Sequence, residues 1–324
     1  MHRHLHKKIA LPAIFFLDPN PDPKGSLSTP IIGHNRTHFD YNPKCREASG
    51  SSADIFHAAL PSGETGIVKA IAIDGYTQQA DGLREARIQK KLTGSGFTCD
   101  VIDTADTGRD QYSHFLILME LAKGEELFTI AEKLATQSVL SKRLPDEASA
   151  PIRQDILVVK TYLTQQLVLG LQMLHANDVF HLDYGLENLV VSPEGQLKIV
   201  DFGNAQEGDE PLSLANISNK IKSGWPREVG IKLGFPPKPS QIDTCFVGIN
   251  IYRLFVGEFG PDSLPRNMRH VRDGNPAKPV LDLIFNAADI PSLDQVAESL
   301  LITDSDTCIS PKQYARAYAR LFNC

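Results

Sequence analysis

Chemistry-bearing side chains crowd one stretch of the sequence, LHANDVFHLDYGLENLVVSPEGQLKIVDFGNA: His181-Leu182-Asp183, then Asn188, then Asp201-Phe202-Gly203. Carboxylate and amide oxygens are hard ligands of the kind magnesium takes, and a further carboxylate can act as a general base. Two metal-ligating side chains with one base beside them are the chemistry that these residue types could do. Asp and Asn are also common turn formers, so the argument rests on their joint spacing, with the strand-like runs VV and LKIV between them. Upstream, Lys69 in GIVKAIAI alternates with Ile67 and Ile71, and a strand would set all three on one face. A cation withdrawn from water needs an anion to stay charged. Glu85 of LREARIQKKL is the candidate.

These groups need elements to hold them. Ser52 to Leu60 and Gly66 to Ile73 have short β-like apolar patterns, and LREARIQKKL follows with helical periodicity. FLILMEL, from Phe115, is a continuous apolar run suited to a buried strand. Beyond AKGEELF the period changes: ELFTIAEKLA and ILVVKTYLTQQLVLGLQMLH read as helices, and IDTCFVGINIYRLFVG, apolar nearly all round, as a buried one. The polar, proline-bearing TQSVLSKRLPDEASAP between the first two reads as a surface loop or insertion. The expectation is an α+β fold, with a β-rich part over about 45–120 and a helical part over about 125–324. Residues 1–44, dominated by Pro, Asn and His, are expected to form an irregular leader.

The bulk numbers narrow the partners. The chain has 324 residues, 42% of them hydrophobic, enough for a sizeable core. A net charge of -6 gives no general basic field, so nucleic acid is not an expected partner. No run approaches the roughly 18 apolar residues of a membrane span. The basic start MHRHLHKKIALPAIFF resembles a signal peptide, but its apolar run is short, broken by Pro12 and followed by DPNPDP. His2, His4 and His6 alternate as metal ligands could, yet read more simply as a solvated tail. Five scattered cysteines without CxxC spacing argue for reduced thiols and an intracellular, cytoplasmic setting, with delivery into another cell as the alternative role of the leader.

Together the motifs resemble the protein kinase superfamily, over roughly residues 48–322. His181-Leu-Asp183 with Asn188 is similar to HRDLxxxN, and Asp201-Phe-Gly203 is DFG at the family's separation. The resemblance implies a bilobal kinase fold, ATP and Mg2+ as cofactors and a protein substrate. It makes Asn188 and Asp201 the metal ligands, Asp183 the base, and His181 a support for the loop. Lys69 resembles the lysine of VAIK that meets the α/β-phosphates, and Glu85 its helix partner. Ala48-Ser-Gly50-Ser-Ser-Ala53-Asp-Ile55 aligns with the phosphate-covering GxGxxGxV, keeping only its middle glycine, which implies nucleotide contacts at Gly50, Ala53 and Ile55. Met119, Glu120 and Leu121 resemble the gatekeeper and hinge that meet adenine. Asp243 and Gly248 fall where the central helix has DxWSxG; Asp243 is then a loop anchor, or, read from the helix alone, an N-cap.

Three departures stand out. Gly185 occupies the position of a lysine that touches the transferred phosphate in serine/threonine kinases. Losing that charge-assisted bond, about 1.5 to 3 kcal/mol, implies an enzyme slower by roughly ten- to a hundredfold. Leu182 replaces the arginine that reads an activation-segment phosphate, so phosphorylation of Ser213, Ser218 or Ser223 is not expected to be the main switch. No clear APE precedes GFPPKPS, and Cys308 stands at the position of its usual arginine partner. Phosphoryl transfer to a protein hydroxyl, chiefly Ser/Thr, is the leading expectation. A pseudokinase or ATP-binding scaffold is the alternative, followed by a small-molecule kinase of the aminoglycoside or choline type.

Overall fold

The computed structural model describes residues 29–49, 53–60, 62–73, 76–107, 114–212, 237–257, 271, 275–286, 290–300 and 308–322. The chain divides into two compact units, one holding residues 1–87 and 100–121, the other 88–99 and 122–324.

The first unit is built on an antiparallel sheet of β1 (Thr29–Ile32), β2 (His38–Ser49), β3 (Ala53–Ala59), β4 (Thr65–Ala72), β5 (Val101–Asp106) and β6 (His114–Glu120), in the order β1-β2-β3-β4-β6-β5. Alternation along the strands sorts the side chains. Phe39, Tyr41, Phe56, Ala58, Val68, Ala70, Ala105, Leu116 and Leu118 form one buried cluster, and the interleaved positions of β4 and β6 face the other way. The irregular leader expected through residue 44 is corrected over 29–44. Thr29 pairs with Tyr41 and Ile32 with His38 in a hairpin. The prolines that made this stretch look irregular stand where strands tolerate them. Pro30 lies in the edge strand β1, and Pro43 lies where the β2–β3 register shifts between Tyr41 and Arg46. Asp103, fully buried, locks the hairpin by accepting the N–H groups of Asn35 (2.9 Å) and Thr37 (3.1 Å). His2, His4, His6 and Gly50 lie outside the described residues, as do Ser213, Ser218 and Ser223.

Helix α1 (Tyr76–Lys91) begins in the first unit. A Cβ on Gly82 would stand 2.7 Å from the Phe115 ring and 3.2 Å from Ile71, so only glycine lets this helix lie so close to the sheet. A mid-helix glycine costs about 1 kcal/mol relative to alanine; here the close approach is its return.

The second unit is mainly helical: α2 (Leu127–Ser141), α3 (Asp146–Ala176), α4 (Pro239–Val256), α5 (Lys278–Asn286), α6 (Leu293–Ser299) and α7 (Pro311–Phe322). The expected loop over 136–151 is a correction: most of it is helical, with residues 142–145 between α2 and α3. Its polarity reflects exposure, and Asp146 and Glu147 in the first turn of α3 suit the positive end of the helix dipole. Helix α4 is buried from Ile242 to Leu254 along most of its length, as its uniform apolarity implies. Short strands complete the unit: β7 (Glu125–Glu126), β9 (Leu189–Val191) and β10 (Leu197–Ile199) form one sheet, and β8 (Val179–Phe180) pairs with β11 (Gln206–Glu207). The fold is α+β, β-rich first and helical second, as the periodicities predict. Among the described residues no helix is long and apolar enough to cross a membrane.

Candidate active site

In the first unit, Lys69 lies in the middle of β4, directly across from Ile55 on β3 and Ile117 on β6. Its residue is 6% exposed, and its Nζ donates to Glu85 Oε1 at 2.6 Å. Glu85 follows Gly82 by almost one turn of α1, so the close helix–sheet approach at Gly82 delivers the carboxylate. A lysine inside an apolar row would lose its proton or unfold its surroundings without such a partner. The expected pair is thus formed and buried.

The other positions expected to meet nucleotide are less fully placed. Ala53 and Ile55 lie on β3, half-buried. Met119 is buried on β6 opposite Ile67, and the next residue, Glu120, donates its N–H to Asp100 O at 3.0 Å. The Glu120 carboxylate also accepts the Asp100 N–H, so this amide serves the sheet's own edge. Leu121, half-buried, follows the strand.

In the second unit, the loop after β8 is held from below by α4. Asp243, with no exposed surface, accepts the N–H of His181 and of Leu182, each at 2.8 Å, and lies 3.1 Å from His175 Nε2 on α3. Helix α4 starts at Pro239, so Asp243 lies a turn inside it and anchors the loop instead of capping the helix. Asn250, two turns further on, donates to Tyr184 O at 2.7 Å. His181 sits fully buried with Nε2 3.1 Å from Val200 O, a support for the loop from the strand side.

The hairpin of β9 and β10 then folds Asp201 back beside Asn188: Val200 N–H donates to Asn188 O at 3.0 Å. Asn188 Nδ2 donates to Asp183 O at 2.8 Å, which commits its amide nitrogen and turns its oxygen elsewhere. Asp201, exposed, adopts φ 62 and caps the turn Phe202–Asn204 by accepting Gly203 N–H. Asp183 is raised above the usual carboxylate value, first by burial; His181 opposes this, Asp201 raises it further, Asn204 lowers it and Glu187 raises it.

Gly185 leaves a gap that its neighbour takes. A Cβ there would stand 2.6 Å from Glu187 Oε2, and Glu187 is in turn 3.5 Å from Arg253 Nη1 on α4. Leu182, buried at φ 62, packs in an apolar cluster with Phe180, Leu212, Ile242 and Cys245. A non-glycine residue at positive φ costs about 1 to 3 kcal/mol unless its surroundings hold it; the two bonds to Asp243 and this cluster do so.

Sequence reasoning missed Asn204, His175 and Asn250. Asn204 Nδ2 donates to Asp183 Oδ2 at 3.2 Å. Its only local signal, an amide just after Asp201-Phe-Gly203, reads equally as a turn former.

The protein kinase domain family model matches residues 48–224. The chain is 24% identical to cyclin-dependent kinase 17 of Caenorhabditis elegans over 182 residues, 56% of this chain and 26% of that protein. It is 31% identical to serine/threonine-protein kinase SRK2E of Arabidopsis thaliana over 165 residues, 48% of this chain and 39% of that one. Identity to serine/threonine-protein kinase GRIK2 of the same plant is 23% over 237 residues, 69% of this chain and 53% of the relative. The chain therefore spans between about a quarter and about half the length of these relatives.

Proposed function

We propose, from the premise that the chain belongs to the protein kinase superfamily, that it transfers the terminal phosphoryl group of ATP to a serine or threonine hydroxyl of a protein, with magnesium. The observation that carries this reading is the Lys69–Glu85 pair, a 2.6 Å ion pair kept in an otherwise apolar row. Withdrawing two charges from water costs several kcal/mol per ion, and an apolar pair would fill the same space without it. A fixed, protonated lysine is what a phosphate needs.

The donor set of the second unit fits magnesium: a carboxylate at Asp201 and the amide oxygen of Asn188, both hard ligands. Magnesium, when bound, neutralises charge on the phosphates. Asp183, desolvated and raised in basicity, orients the acceptor hydroxyl and takes its proton. Lys69 holds the α/β-phosphates. Leu182 supports activity without phosphorylation of the segment after Asp201, because an apolar cluster does the ordering that an arginine and a phosphate would otherwise do. Action inside a cell, on a protein substrate, belongs to the same proposal.

Transfer from labelled ATP with magnesium tests it, on generic protein substrates and on the protein itself. Transfer by the wild type, lost in Asp183→Ala and in Asp201→Ala, is the expected result. One observation favours a scaffold instead: Glu187 puts a negative charge beside Gly185 where the family places a positive one. Nucleotide binding without transfer selects that reading, and absence of nucleotide binding removes both.

A further inference from the structure

We infer that Asn204 is a positioning residue for the reaction, fixing the carboxylate of Asp183 so that Oδ2 is held and Oδ1 receives the acceptor's proton. The inference rests on the kinase reading and goes beyond it, because the family motifs assign no task to this position.

Three observations converge on it. Among the described residues the Asp183 carboxylate accepts one side-chain hydrogen bond, from Asn204 Nδ2 to Oδ2 at 3.2 Å. Gly185 offers no side-chain donor, and the group filling its space, the Glu187 carboxylate, can only accept. Asn204 itself is fixed in the short turn Phe202–Asn204, closed by Ala205 N–H on Phe202 O at 3.0 Å and begun by Asp201. The amide that steadies the base is therefore carried on the same rigid turn as Asp201.

The proton balance follows. As the acceptor oxygen bonds to phosphorus and the phosphorus–oxygen bond to ADP breaks, the acceptor's O–H proton passes to Asp183 Oδ1. Without Asn204 the carboxylate can rotate about its terminal torsion, which has no sharp preferred angle. The loss then falls on the chemical step and not on nucleotide binding.

Asn204→Ala and the isosteric Asn204→Asp test this in the full chain. For Asn204→Ala the expected result is a kcat roughly ten- to a hundredfold lower, the loss of one hydrogen bond to a charged group, with unchanged KM for ATP, unchanged nucleotide affinity and unchanged melting temperature; Asn204→Asp, which sets a second carboxylate against Asp183, is expected to lose at least as much kcat. A readout independent of turnover is the side-chain amide resonance of Asn204 in 15N-labelled protein, assigned by its absence in Asn204→Ala. It is expected to shift in Asp183→Ala. If wild type transfers no phosphate while that shift occurs, the contact stands and the kinase reading falls. An amide resonance indifferent to Asp183→Ala, or a kcat unchanged in both Asn204 variants, overturns the inference.

Discussion

Asp243 accepts the N–H of Leu182 at 2.8 Å, and Leu182 holds φ 62, so a carboxylate on the central helix stabilises a strained residue next to Asp183. Removing that carboxylate strands the two backbone donors of residues 181 and 182. Asp243→Ala is expected to lower stability by about 3 to 5 kcal/mol, and Asp243→Asn, which keeps an acceptor oxygen, by less. Denaturant unfolding of both variants measures it, and equal losses would contradict the anchoring role.

Breaking the buried pair by one partner leaves the other charged and unpaired. Lys69→Met or Glu85→Leu alone should each cost about 3 to 5 kcal/mol, whereas the double variant should recover most of the stability. Phosphate transfer is expected to be absent in all three. Thermal melts and a transfer assay on the same preparations separate the two effects.

Gly185→Lys supplies the missing cation beside Glu187, whose flexible end must swing aside for the new Cβ. The rate of transfer should rise roughly ten- to a hundredfold, the worth of one charge-assisted bond in the transition state. Initial rates at saturating ATP decide it, and a fall would mean that the Glu187 position matters more than the charge.

Lys160 of α3, 6% exposed, has its Nζ 3.5 Å from Phe255 O, and its pKa is pushed down to about 8 by burial and then by Lys142. A lysine with a lowered folded value binds fewer protons than the unfolded chain between that value and its ordinary one, near 10.4. Stability should therefore rise with pH from about 8 toward 10 on account of this group. Lys160→Met removes the effect and should stabilise the protein at pH 7. Unfolding free energies at pH 7, 8, 9 and 10 for both proteins provide the comparison.

Two stacked tyrosines of the same core make opposite predictions. Tyr162 OH donates to Gly195 O at 3.0 Å, while the Tyr314 hydroxyl is buried with no hydrogen-bond partner among the described residues. Tyr314→Phe is expected to leave stability unchanged or raise it by about 1 kcal/mol, and Tyr162→Phe to lower it by about 1 kcal/mol. Calorimetric melting of the two variants tests the asymmetry.

The residues proposed for catalysis were legible because their spacing is local: Asp183, Asn188 and Asp201 lie on one short stretch with strand-like runs between them. Lys69 was legible through alternation along its strand, and Glu85 through its resemblance to the helix glutamate that pairs with such a lysine in kinases. What escaped depends on distance in sequence or on exposure. Leu182 reads as a lost arginine, yet its backbone angle and its place beside Leu212 and Ile242 are tertiary facts. Residues 29–44 looked irregular because their prolines fall at an edge and at a register shift, which only the assembled sheet reveals. The polar helical ends flanking 142–145 carried loop-like composition because they face water.

Leu212 N–H donates to Pro237 O at 3.0 Å, and nearby Asp209 takes both the N–H and the hydroxyl of Ser240 at the start of α4. The two ends of the stretch from 213 to 236 are thus tied at one place beside the loop anchored by Asp243. Chain closed at a fixed neck is tolerant of length: doubling it adds only about 0.6 kcal/mol of closure entropy. A change in the number of residues between 213 and 236 therefore leaves the neck, and with it the loop held by Asp243, in place.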